Sequence, residues 1–144
     1  MIRTDNFHLL FIEPDKKAEP CKVKDDWWTE AIQLIMECCT VSNSKYWWRG
    51  VHETKCGMKS ENAPLYTPMG RLTHTLAPYY VSHYRESLTF GEKDKIIQEL
   101  VYIYGRRGPV AYSEVPKSMP TLKKPTDKQK EKARELIFTR PTWP

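Results

Sequence analysis

Apolar residues recur along the chain at a spacing that switches between that of a strand and that of a helix, and each switch marks an element. The first run, Asn6 to Ile12, is short and apolar and stops before Pro14, which predicts an opening strand. A polar linker follows. From Asp26 onward Trp28, Ala31, Ile32, Ile35 and Cys39 fall on one helical stripe, and Asp25 or Asp26 can cap the free N–H groups of its first turn. That helix is expected to end near Ser42, Asn43 and Ser44.

Tyr46 to His52 is aromatic and β-favouring, and predicts a strand. After a loop around Cys56 and Gly57, the segments Leu65 to Thr67 and Arg71 to Leu76 are separated by Pro68, Met69 and Gly70, as in a hairpin. Pro78 suits the first turn of a helix, where its missing N–H costs nothing, and Val81, Tyr84 and Leu88 supply an apolar side. Gly91 opens and Gly105 closes the next helix, with Ile96, Ile97, Leu100, Val101 and Tyr104 as its stripe. Past Gly108 the periodicity disappears, and Pro109, Pro116, Pro120 and Pro125 predict an extended segment. Thr126 and Gln129 then form a capping box that starts a basic helix reaching Phe138, with Ala133, Leu136, Ile137 and Phe138 as a narrow apolar face. The expected fold is α+β, a small mixed sheet with three to four helices. Residues 1–105 form the main domain, and residues 106–144 form a basic, proline-rich arm whose short helix docks.

A chain of 144 residues suffices for one core. No apolar run approaches the roughly 18 to 20 residues of a membrane-spanning helix. Met1 to Ile12, broken by Arg3, Asp5 and His8, is too short for a signal peptide. The expected location is therefore the cytoplasm, where four cysteines do not imply a disulfide framework. Cys38 and Cys39 are expected as small buried residues on the first helix. The net charge of +5 is uneven: residues 1–104 carry 13 basic against 14 acidic side chains, residues 105–144 carry 10 against 4. A basic tail can serve nucleic acid or an acidic protein, or can simply be a solvated surface.

The segment richest in chemistry runs from Trp47 to Arg85. It reads Trp47-Trp48-Arg49-Gly50-Val51-His52, then Cys56-Gly57, Ser60-Glu61-Asn62, and Gly70-Arg71-Leu72-Thr73-His74 through to His83-Tyr84-Arg85. This pattern resembles a group of short, largely uncharacterised phage and bacterial proteins with a W-R-G-x-H-x-C-x-x-C-G core, a following S-x-N and a later T-N-x-L-x-x-H-Y-x-x-H-R element. The resemblance covers roughly residues 27–104 and implies a phage or mobile-element setting. Two departures stand out. The first cysteine of the pair is replaced at Glu53 or Thr54, so Cys56 stands alone, and Tyr80 stands where that group tends to have a histidine.

His52, Cys56, His74 and His83 are the candidate metal ligands. Three imidazoles and a thiolate would satisfy tetrahedral zinc if brought together, but their spacing matches no zinc-finger rule, and the alternative is that they make ordinary hydrogen bonds and that the chain holds no cofactor. His52-Glu53-Thr54 has the His-x-Thr form of two-histidine phosphoesterases, yet the second motif which that mechanism needs is missing. Neither a phosphate-cradling glycine loop, nor His-Glu-x-x-His, nor a Gly-x-Ser-x-Gly turn is present. The aromatic and arginine residues suit a binding surface, although adjacent aromatics in a small domain also build cores. The expectation is a non-enzymatic accessory protein that binds a host protein or nucleoprotein complex, of inhibitor or anti-defence type. Trp48, Arg49, His52, Tyr79 and Arg85 would shape its site, and Arg106, Arg107, Lys123, Lys124, Lys128 and Lys132 would supply electrostatic attraction. The alternatives are a direct nucleic-acid-binding protein, zinc-stabilised or not, and a small two-histidine phosphoesterase.

Overall fold

Helix α1, Trp27–Glu37, begins where Asp26 adopts an extended backbone and its carboxylate accepts from the Thr29 N–H at 3.1 Å. The stripe anticipated in the sequence faces inward: Ala31, Ile32 and Ile35 have no solvent exposure. The structure, a computed structural model, describes residues 26–41, 50–53, 59–84, 88–105 and 124–141, with the backbone alone for 50–53 and 59–62. The opening strand expected at 6–12 and the proline-rich stretch after Gly108 lie outside these residues.

The α1 helix stops earlier than its apolar pattern implies. Cys38 and Cys39 donate their N–H groups to the carbonyls of Ile35 and Met36, and the chain then enters strand β1, Thr40–Val41. Both cysteines are free and buried as expected, but they lie just past the helix. The Cys39 thiol donates to the same Ile35 carbonyl at 3.1 Å, as a second donor beside the Cys38 N–H.

Strands β2, Gly50–Glu53, and β3, Lys59–Asn62, pair antiparallel, with His52 opposite Ser60. Strands β4, Pro64–Tyr66, and β5, Leu72–His74, form the predicted hairpin, and β1 pairs on the far side of β4, giving the order β1-β4-β5. The α+β class holds among the described residues. The sheet expected to be mixed is antiparallel at every described pair. Gly70, at φ +87°, takes the left-handed position of the β4–β5 turn, where a side chain would be strained.

Helix α2, Ala77–His83, carries Pro78 in its first turn and ends before Leu88, which packs against the core outside the helix. Helix α3, Phe90–Tyr104, is opened by a reciprocal capping box between Thr89 and Glu92 and closed by Gly105 at φ +121°. Helix α4, Asp127–Phe138, starts at the predicted Thr126–Gln129 capping box. Ala133 and Leu136 of α4 join Ile32, Ile35, Ile96 and Leu100 in one apolar cluster, so this helix is docked on the body. The Trp27 indole N–H donates to the Leu136 carbonyl at 2.8 Å, whereas Leu34 and Glu37 face Thr126 and Gln129. Helices α1 and α4 therefore run antiparallel. No helix among the described residues is long and apolar enough to cross a membrane.

Candidate functional site

The antiparallel pairing of α1 with α4, and the approach of the Lys93 ammonium to 5.6 Å from the Trp28 ring centre, bring three helix ends together: the start of α1, the start of α3 and the end of α4. Two phenylalanines stand on this end of the bundle with most of their surface in water, Phe90 at 61% and Phe138 at 75% exposed. Phe138 was expected on the inward face of α4. It turns out because Ala133 and Leu136 define the buried stripe, and position 138 falls well round the helix from both. Its ring lies 5.3 Å from the Arg134 guanidinium, a cation–π contact. Trp27 lies half-buried at the same end and is edge-on to Trp28.

The predicted basic residues of the arm divide. Lys124, Lys128 and Lys132 are exposed. Lys128 and Lys132, however, line a groove of about 480 Å³ whose opposite wall carries Glu30 and Glu37 of α1. Lys132 reaches Glu30 at 3.9 Å, with both side chains about half exposed, a pairing worth little in stability but enough to neutralise the wall locally. A phosphate entering this groove would meet carboxylates as well as ammonium groups. Arg106, Arg107 and Lys123 lie outside the described residues, as do Trp48, Arg49, Cys56 and Arg85.

Among the aromatic and histidine candidates, Tyr79 and His83 are brought together on α2, with ring centres 4.4 Å apart. Tyr79 is buried and is surrounded by Tyr80 and Tyr84 in edge-on contacts, so its ring belongs to an internal aromatic cluster. His74 is fully buried on β5 with its ring edge-on to Tyr80. His52 is placed by its backbone in β2. Among the described residues no group of three or more His, Cys, Asp or Glu side chains could hold a metal ion.

A polar cluster that the sequence reading missed lies where the β4–β5 turn meets α3. Glu99 has no exposed surface, yet it accepts from the Thr67 hydroxyl at 2.9 Å, the Met69 N–H at 3.1 Å and the Arg71 guanidinium at 3.1 Å. Burial pushes its carboxyl up to about 7, against the Arg71 charge and the Thr67 and Met69 hydrogen bonds that pull it down. The signal available in the sequence was slight: a glutamate one residue off the apolar stripe of α3, with an arginine at the end of the turn.

Compared with known protein families, with curated proteins and with solved structures, the chain matches none.

Proposed function

We propose that the protein acts by binding a partner protein, through the aromatic end of the bundle formed by α1, α3 and α4, rather than by catalysis. In this reading it is an accessory protein of a phage or mobile element that docks on a host protein or nucleoprotein complex; that setting rests on the resemblance of the Trp47 to Arg85 segment alone. The observation that carries the reading is the pair Phe90 and Phe138, mostly in water at one end of a three-helix arrangement. Covering a phenylalanine that is otherwise exposed is worth about 1.5–3 kcal/mol, and aromatic side chains and arginine, which meet here at Phe138 and Arg134, are enriched at protein interfaces. The groove favours a protein over bare nucleic acid, since Glu30 and Glu37 face Lys128 and Lys132 across it.

The test is native mass spectrometry of the protein purified from its own host, for the parent and for the double variant Phe90→Ser with Phe138→Ser. The parent is expected to retain a stoichiometric partner that the variant releases, with unchanged far-ultraviolet circular dichroism. Retention by the variant would remove this end of the bundle as the site. In place of a protein partner, tight binding of plain DNA or RNA that weakens steeply with salt would mean direct phosphate contacts and would overturn the reading.

A further inference from the structure

The Glu99 cluster differs from an ordinary buried ion pair in how many partners each member has. Arg71 keeps 14% of its side chain in solvent and, besides Glu99, donates to the Lys95 carbonyl at 3.4 Å and to the Gln98 side-chain oxygen. Thr67 donates its hydroxyl to Glu99 while accepting the Arg71 N–H at 2.9 Å. A neutral Glu99 would therefore leave Arg71 with three acceptors of its own, the third being the Met69 sulfur at 3.6 Å, and the Thr67 hydroxyl can turn from donor to acceptor towards a protonated carboxyl. Met69 N–H needs only a carbonyl-type oxygen, which both forms of the carboxyl present.

We propose that this cluster is a proton-operated latch, one that fastens the 67–71 turn to α3 while the buried Glu99 carboxyl holds its proton and loosens as it gives that proton up. The released proton goes to solvent, and Arg71 is the counter-charge that remains. Arg71 is also the charged group that faces Glu99 from the turn, where Thr67 and Met69 present neutral donors. The helices packed on the other sides of α3 turn apolar residues to it: Ala31, Ile32 and Ile35 from α1, Ala133 and Leu136 from α4. On α3 itself, Lys95 contributes its carbonyl and Gln98 its amide oxygen to Arg71.

The reason for loosening is solvation. An ionised Glu99 loses all of its water, while Arg71 shares its attraction among four acceptors, the Met69 sulfur included, and keeps part of its own hydration, so the pair does not recover the cost of burying the anion. With the folded carboxyl at about 7 and an ordinary value of 4.5 in the unfolded chain, the stabilisation is complete below about 4.5 and is lost as pH rises through 7. The latch thus works in the range of physiological pH.

Urea unfolding of the full chain from pH 4.5 to 8.5, for the parent and for Glu99→Gln, tests it. The folding equilibrium constant of the parent is expected to fall relative to that of the variant by on the order of a hundredfold across this range. Histidine titrations affect both proteins and cancel in the ratio. Parallel profiles would overturn the proposal. If the variant does not fold, carbon-13 titration of the Glu99 carboxyl in the parent decides: a midpoint at or above pH 6 supports the latch, and one below 6 overturns it.

Discussion

Glu99 and Leu100 are neighbours on α3, both without solvent exposure, and they act on the fold in opposite ways. Leu100 lies in the apolar cluster where α1, α3 and α4 meet, so Leu100→Ala removes transferred surface and leaves a cavity. It is expected to cost about 2–5 kcal/mol, read as a lower urea midpoint with an unchanged slope. Glu99 holds a turn at the expense of a buried carboxylate, and its net contribution depends on pH. Leu100 was legible in the sequence because hydrophobic periodicity marks it. Glu99 was not, because a carboxylate on a helix reads as solvated unless the partner that buries it is known, and Arg71 lies 28 residues away. Phe138 is the converse case: an apolar type at the end of an apolar face, which helix geometry carries into water.

At the scale of elements, the helix starts were the best-determined features, because a cap is a local hydrogen bond between residues three apart. Asp26 with Thr29 and Thr126 with Gln129 are made as the sequence implied, and α3 adds the pair of Thr89 with Glu92. Thr126→Ala is expected to cost about 1 kcal/mol, measured as a lower midpoint and faster hydrogen exchange in the first turn of α4. Helix ends were read less well. The α1 stripe continues through Cys39, yet the helix ends at Glu37, because Thr40 and Val41 are drawn into pairing with Tyr66 and Leu65. The α2 stripe likewise runs on to Leu88, whereas the helix closes at His83. The α1 ending depends on partners distant in sequence, which periodicity does not report.

For the whole molecule, the docking of α4 is the feature on which the bundle depends. Leu136 is 2% exposed, and its carbonyl receives the Trp27 indole, so side chain and backbone both tie α4 to the body. Leu136→Asp would bury a charge or expel the helix, and is expected to abolish hydrogen-exchange protection in α4 and to lower it in α1 together. Protection lost in α4 alone would mean that the two helices are not energetically coupled. By itself the sequence determined the α+β class, the positions of four helices, the β4–β5 hairpin and the docking stripe of α4, since each follows from local periodicity, capping or turn chemistry. The tertiary structure alone decided which surfaces remain in water and which polar groups leave it. It placed Tyr79 inside, Phe90 and Phe138 outside, Lys128 and Lys132 opposite carboxylates, and Glu99 in the core. Those outcomes depend on which elements meet across the fold, and burial is a property of the meeting rather than of the residue.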